Sequence, residues 1–346
     1  MCFFLEDAMG TEFFSEEQKL RPIDVCAVEN ALVDLLVRGS DADIEKLGMT
    51  KGIMQLVDAN AQKIVLEKMG TRPVEIELGG SAANALRGMA ILGAQTSYSS
   101  VVGRDKYGEA FAKRLKELSI MNNLQMGSTG TGTCLVVVSP DGERTMNTHL
   151  GACREYTKNF VPIGDIRRSK IFFTTGYCWD TPNQIEAIEH AIEVARKGGA
   201  KVAIDVADPF AVSRSHAVFT RLVDARQVDV LFANAEEAQM LVGCKGMDAA
   251  KILAEKIDVV AVKDGAHGAY VSYRGTVSFV PAFSTTVVDT TGAGDMFAAG
   301  FLYGLVRGYS VEMCGRVGTL MASDNISHLG VRLSSDIARR VQELLV

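Results

Sequence analysis

The stretch VVDTTGAGDMFAAGFLYGLVRG (287–308) places two aspartates and closely spaced glycines at the mouth of an apolar run. Gly292 and Gly294, with Ala293 between them, let backbone amides approach an anion without interference from a Cβ. Asp295 begins the helix expected behind them, which runs to about Val306. The first turn of a helix carries free N–H groups and the positive end of its dipole. That arrangement suits phosphate oxygens, or a transition state that resembles them. Asp295 would then stand where a phosphoryl group is attacked. Near a helix N-terminus it stays ionised and is a weak base, which suffices if the attacking hydroxyl loses its proton late. The plainer alternative is a first-turn acid that only stabilises its helix.

Two other glycine loops do not fit. A dinucleotide fingerprint wants a third glycine where Phe297 stands, and it belongs to a first strand–helix–strand unit rather than to the C-terminal part of a chain. A Walker A loop needs Gly-Lys-Ser/Thr, which occurs nowhere.

The elements that must position these residues show in the apolar pattern. IDVCAV (23–28), SKIFFTTG (169–176), AKVAIDVA (200–207), VDVLFAN (228–234) and DVVAVKDG (258–265) are nearly continuous apolar runs, as strands covered on both faces should be. TPNQIEAIEHAIEVARKGG (181–199) and NAEEAQMLVG (234–243) are helices between them, with helix-start residues in front and glycine behind. Alternating strands and helices predict a mostly parallel sheet with helices on both faces. The helix after Asp295 is apolar all round and is expected to be buried, with Gly300 and Gly304 allowing close packing. RPVEIEL (72–78) and GTCLVVVSPDGERTMNTHL (132–150) alternate instead, the second around a Pro140-Asp141-Gly142 turn. These pieces suit a small separate sheet over one end of the core. Helical stretches at 41–47 and 60–69 precede and adjoin them.

At 346 residues and 47% hydrophobic, the chain has ample material for a large core. Its net charge of −6 gives no global basic field for nucleic acid. No apolar run reaches the roughly 18–20 residues of a membrane span. The acidic start of the chain does not read as a signal peptide, so residues 1–20 are expected to be a loose extension and the protein cytoplasmic. Seven cysteines without a C-x-x-C pair read as reduced thiols, and five histidines lack metal-ligand spacing.

DTTGAGD does not stand alone. About two hundred residues before it lies IELGGSAANALRGMAILGAQTSYSSVVGRDKYGEAF (76–111). The two stretches, in this order, resemble the signatures of the ribokinase/PfkB family of carbohydrate and nucleoside kinases. NALVDLLV and the 133–152 stretch are most similar to bacterial adenosine-kinase-like members. The resemblance implies one ribokinase-like α/β domain across 1–346: a central, mostly parallel sheet flanked by helices, with a discontinuous small β-sheet lid at about 31–40, 72–80 and 129–152. It also implies transfer of the ATP γ-phosphate to a sugar or nucleoside hydroxyl, with Mg²⁺ and, in some members, K⁺.

By that resemblance Asp295 is the base, and the Gly292, Ala293 and Gly294 amides form the anion hole. Asn30, Asp34, Gly79, Gly80 and Asn84 meet the substrate. Asp34, with two acceptor oxygens, suits a diol. Asn234, Lys263, Gly265, Gly268 and Asn325 border ATP, and Glu237 acts on Mg²⁺ through water. Asp289 and Thr291 form the turn that holds a monovalent cation through its carbonyls. Lys263 can also be read as a strand-end lysine reaching for solvent, and Arg144 as either a substrate contact or a solvated lid residue. Glu29 departs from the family's usual glycine, and Asp264 from its usual apolar residue. For the nucleoside base, the lid offers Leu135, Val137 and Met146 but no evident aromatic. A non-catalytic sensor on the same fold is the alternative function. A lid edge strand leaves a homodimer open beside a monomer.

Overall fold

The computed structural model describes residues 13–346 apart from Thr71, Pro73 and Gly142. Residues 1–12 of the expected extension, and the glycine of the expected lid turn, therefore lie outside the described residues. The strands are β1 (Ile23–Val28), β2 (Leu32–Arg38), β3 (Met54–Leu56), β4 (Glu75–Gly79), β5 (Thr96–Val102), β6 (Met121–Met126), β7 (Gly132–Val138), β8 (Arg144–His149), β9 (Ser169–Thr175), β10 (Lys201–Asp205), β11 (Val230–Asn234), β12 (Val259–Lys263), β13 (Gly268–Tyr273) and β14 (Thr276–Pro281).

Nine of them form one sheet in the order β14-β13-β12-β11-β10-β9-β1-β5-β6. It is parallel from β12 to β6, with β13 and β14 added antiparallel at one edge. Every residue of β1, β5 and β9 is buried, because helices cover both faces. One face carries the helices Ser81–Ile91, Ala293–Val306 and Val311–Asn325. The other carries Pro182–Lys197, Pro209–Asp224 and Gly246–Ala254. The expected strands and helices of this core are present to within a few residues. β5 escaped the apolar criterion because its sequence is TSYSSVV; its hydroxyls are buried but bonded, Ser97 to Asp165 at 2.7 Å and Ser99 with Tyr156 at 2.9 Å.

The helix Ala293–Val306 is buried from Met296 to Val306. Two glycines let its neighbour in. A Cβ on Gly300 would lie 2.7 Å from the Val317 carbonyl oxygen, and one on Gly304 would lie 2.9 Å from Cys314 Sγ. On the opposite side, Gly88 of Ser81–Ile91 leaves room for the Ala299 Cβ, which a Cβ would approach to 2.8 Å.

The remaining strands form the lid, in the order β3-β8-β7-β2-β4. β3 was not anticipated, since three residues are too few to show a period. Along β2 and β7 side chains alternate. Val33, Leu35, Val37, Leu135 and Val137 belong to a core shared with Ile44 and Leu47 of Asp41–Leu47 and Val65 and Met69 of Ala59–Met69. Leu36, Cys134, Val136 and Val138 cluster on the other face with Met146 and Leu329. Asp34 shares this second face by the period of two. The expectation for Leu135 and Val137 is thereby corrected: they point away from the Asp34 face, and only Met146 lies on it.

The described part of the N-terminal extension is not loose. Phe13 and Phe14 are buried in the core, and Gln18 of the short helix Glu16–Lys19 donates to the Gly199 carbonyl at 2.6 Å. Among the described residues, Cys26, Cys134, Cys153, Cys178, Cys244 and Cys314 are free thiols, and no helix is long and apolar enough to cross a membrane.

The close helix contact is testable. Gly300→Val should destabilise the fold by about 2–3 kcal/mol or more through overpacking, read as a lowered urea midpoint. Gly164→Ala, on an exposed helix position with nothing within 4 Å of the new Cβ, should be neutral or stabilising by up to about 1 kcal/mol.

Candidate active site

The site is built on strand ends. β1, β9, β10, β11 and β12 run parallel, so their C-terminal residues open onto one crevice, where α/β sheets place ligands. The start of Ala293–Val306 faces this crevice. Gly292, at φ 70°, turns the chain into the helix as its N-cap, and a Cβ there would meet Val331 at 2.7 Å. Thr291 to Asp295 remain partly exposed while everything behind them is buried. The Ala293 amide is not free for a ligand, since it donates to the Thr290 carbonyl at 3.2 Å. The amides of Gly292, Gly294 and Asp295 are left for an anion.

Asp295 accepts a hydrogen bond from the Asn84 amide at 2.8 Å. Burial pushes its pKa up to about 6, against the lowering effects of Asn84, Ser81 and the Lys263 charge. Asp295 thus stays mostly ionised at neutral pH, but as a stronger base than a first-turn carboxylate in water, because desolvation outweighs the helix end. Asn84 therefore faces Asp295; it sits in the first turn of Ser81–Ile91 and is itself 6% exposed.

A second group of charges stands at neighbouring strand ends. Lys263, the last residue of β12, donates to Asp205, the last residue of β10, at 2.9 Å. A Cβ on Gly294 would lie 3.2 Å from the Lys263 ammonium, so this charge adjoins the anion hole. Burial works against a charged Lys263, but Asp205 and Glu237 more than offset it and hold its pKa up. A solvent-seeking lysine is thus not what is seen. Asn234 caps the helix Ala235–Val242 by accepting from the Glu236 and Glu237 amides at 2.9 and 2.8 Å. Glu237 closes the box: its two oxygens accept from the Asn234 backbone N–H at 2.7 Å and the Asn234 side-chain amide at 2.6 Å. Burial raises its pKa to about 7. The expected N-x-x-E pair thus also forms a helix cap, in which each Glu237 oxygen accepts one hydrogen bond. Among the described residues no group of three or more His, Cys, Asp or Glu could cage a metal ion. A divalent ion fits this crevice only as a companion of phosphate oxygens, facing Glu237 and Asp205 through water. Gly265 (φ 55°) and Gly268 (φ 130°) shape the β12–β13 connection, and a Cβ on Gly268 would collide with the Val280 carbonyl at 2.0 Å.

On the lid side, Asp34 is half-buried and lies over Gly79, where a Cβ would come within 2.5 Å of its Oδ1. Burial lifts its pKa to about 7; Arg144 opposes this and Glu77, its cross-strand neighbour, adds to it. Gly80, at φ 95°, packs on the backbone of Asn30 and on the Glu29 carboxyl. Asn30 itself is 2% exposed, and its amide is spent inside the wall: Gln184 donates to its Oδ1 at 2.9 Å, and its own Nδ2 donates to the Tyr177 carbonyl at 3.3 Å. A direct grip of Asn30 on substrate does not match this placement.

The turn before the anion hole is also occupied from within. Asp289 accepts from the Thr291 amide at 3.0 Å, the Thr291 hydroxyl at 2.9 Å and the Gly330 amide at 2.8 Å, and it is ion-paired with Arg144 of β8. Against burial, these bonds and the guanidinium keep its pKa low. Asn325 is fully buried and donates to the Thr291 carbonyl at 2.7 Å. The expectation for Asn325 is corrected: it braces the turn rather than facing a nucleotide. In the same turn the Asp289 carboxylate is paired with Arg144, and the Thr291 carbonyl accepts from Asn325. Arg144 is not solvated, since its side chain is 9% exposed.

Sequence reasoning missed Asp205 and the Arg144–Asp289 pair. AKVAIDVA offered a signal for the first: an acid inside an otherwise apolar strand needs a buried partner, and AVKDG supplies one on a neighbouring strand end. Nothing local signals the second, whose members are 145 residues apart.

Known proteins share this fold. The structure superimposes on a probable sugar kinase from Rhizobium etli CFN 42 with TM-score 0.87 at 33% identity, covering 94% of this chain and 99% of that one. It superimposes on adenosine kinase from Sinorhizobium meliloti with TM-score 0.86 at 34% identity, covering 93% and 99%. Ribokinase from Haemophilus influenzae is 26% identical over 320 residues, which are 86% of this chain and 99% of the relative. The fold is ribokinase-like, and kinases of this kind use ATP and typically Mg²⁺. Residues 43–338 match the profile of the pfkB family carbohydrate kinases, and the chain belongs to that family.

Proposed function

We propose that the protein transfers the γ-phosphoryl group of ATP to a primary hydroxyl of a nucleoside. The observation that carries this reading is Asp295, held by Asn84 at the open end of a buried helix with the Lys263 ammonium beside its amides. A carboxylate, an anion hole and a cation converge on one crevice, as phosphoryl transfer needs.

In this reading Asp34 accepts hydrogen bonds from two adjacent substrate hydroxyls. The attacking hydroxyl gives its proton to Asp295 as its oxygen bonds to phosphorus and the bond to the ADP oxygen breaks. Asn84 keeps the Asp295 oxygen aimed during that transfer. The Gly292, Gly294 and Asp295 amides and Lys263 meet the charge on the migrating group. The Arg144–Asp289 pair ties the lid to the turn below the anion hole, which excludes water from the crevice. Mg²⁺, when bound with the nucleotide, neutralises phosphate charge. A non-catalytic sensor would need no base of this kind, and no relative described above supports one.

The nucleoside preference rests on the lid. Next to Asp34 lies the apolar strip Leu36, Cys134, Val136, Val138 and Met146, continued by Leu329. A cavity of about 210 Å³ at its far end is lined by Leu36, Arg38, Arg72, Glu75, Val138 and Leu329. A base attached to the sugar would use this surface, and a free pentose would leave it bare. A free sugar is the second reading, favoured by the lack of an aromatic ring in the strip.

Asp295→Asn should lower kcat by about 10²–10⁴-fold while nucleotide affinity changes little, as measured by ADP release and nucleotide titration. Near-normal turnover would remove Asp295 from the role of base. For the wild type, kcat/KM should fall as pH drops through about 6, because Asp295 works as the ionised form and protonation removes it. A profile flat down to pH 5 would contradict this. In a screen with ATP and Mg²⁺, purine nucleosides should exceed ribose and fructose in kcat/KM by at least about tenfold. The reverse order selects the free-sugar reading.

A further inference from the structure

The mechanism above leaves Glu29 unused. It follows β1 directly, and the β1–β9 register, which sets Ala27 against Phe173, brings it opposite Thr175. Glu29 is 3% exposed. Its Oε2 and the Thr175 Oγ1 are both buried without a hydrogen-bond partner, although the Thr175 hydroxyl is close enough to bear on the carboxyl. A Cβ on Gly80 would come within 2.8 Å of that Oε2, so the second glycine of the turn rests on the acid. The Asn30 and Ala82 amides also bear on the carboxyl. Ala82 belongs to the first turn of Ser81–Ile91, whose own N-cap, Gly80, offers no side-chain cap. That same turn carries Asn84, which holds Asp295. The Glu29 carboxyl is thus the footing of the element that aims the base.

The titratable groups around it supply no positive charge. They are Asp295 from Ala293–Val306, Tyr98 from β5, Cys153 from the turn after β8, and Tyr177 and Cys178 from the turn after β9. A buried carboxylate without a cation, and with one oxygen unpaired, is strongly disfavoured. A neutral acid has no such cost, and its O–H is a donor that Thr175 Oγ1 can accept.

We propose that Glu29 is a positioning residue that works as the neutral acid: it bridges the end of β9 and the Gly79–Gly80 turn, and its ionisation disables the site by setting a second negative charge beside Asp295. Burial pushes its pKa up to about 8, with Asp295 adding to the rise, and this outweighs the Asn30 and Ala82 amides and the Thr175 hydroxyl, which favour the charged form. The device therefore limits activity on the alkaline side. Its activity arm rests on the kinase reading, whereas its protonation arm does not.

The protonation arm compares wild type with Glu29→Gln by infrared difference spectroscopy between about pH 6 and pH 9.5. In the wild-type-minus-variant difference, which cancels the bands of Asp34 and Glu237, a carboxylic-acid C=O band should be present at pH 7 and lost as pH passes about 8. Absence of that band at pH 7 overturns the proposal, and Glu29→Ala replaces the glutamine variant in the subtraction if that variant folds poorly. Urea unfolding gives a second readout. The folded carboxyl keeps a proton that the unfolded chain releases near 4.5, so wild type should lose stability relative to Glu29→Gln as pH rises from about 5 to about 8, and no further above that. A pH-independent difference counts against the proposal. In ADP-release assays, wild-type kcat should decline through about pH 8. Glu29→Ala should lose at least about tenfold in kcat at pH 7, glutamine should restore most of it, and the alkaline decline should vanish with glutamine. An alkaline limb that survives in Glu29→Gln overturns the proposal. The expected band and stability trend, with no acceptor phosphorylated, would support the neutral acid and reject the kinase reading instead.

Discussion

The hydrogen bond from Asn84 to Asp295 joins the first turns of two helices whose residues lie 211 positions apart in the chain. It exists only if Ala293–Val306 is pressed tightly between its neighbours, which is why Gly88, Gly300 and Gly304 stand at the contacts. The packing also fixes the electrostatics. Moving the Asp295 pKa from 3.8 to about 6 corresponds to about 3 kcal/mol against the charged form. A helix N-terminus returns typically about 0.3–1 kcal/mol. Burial therefore wins, and apolar packing of the helix behind Asp295 is what sustains that cost.

The same economy appears at the lid. Arg144 and Asp289 form a nearly dry ion pair, with side chains 9% and 3% exposed. Such pairs add little net stability but are costly to break on one side only. Asp289 also fixes the Thr291 amide and hydroxyl, one residue before Gly292. Lid position and anion-hole geometry are thus coupled through one carboxylate.

Most of the frame was legible in the sequence because its signals are local. Continuous apolar runs marked β1, β9, β10, β11 and β12, and the glycine-rich entry marked the buried helix. What stayed hidden depends on register or on distant partners. Leu135 and Val137 are as apolar as Val136, and only the period-two register decides which of them shares a face with Asp34. Asn30 looks free as a strand-end amide until Gln184, 154 residues away, is seen to occupy it. Asn234 and Glu237 were legible as a pair, and their spacing also encodes the capping box that they form.

A count of charges around the crevice explains how it can receive a nucleotide. Asp34, Glu237, Asp295 and Glu29 all have their pKa values raised by burial, to about 7, 7, 6 and 8. The cations nearest them are Lys263, paired with Asp205, Arg144, paired with Asp289, and Arg87, which donates to the Val331 carbonyl and bears on Asp34 and Asp295. A polyphosphate entering alone would meet an excess of negative charge in a low-dielectric cleft, where such repulsion is strong. The protein can relieve this by retaining protons on its buried acids, and the remainder must be met by positive charge that arrives with the phosphates. A divalent cation travelling with the nucleotide, as kinases of this family typically use, would supply that charge without a dedicated protein cage.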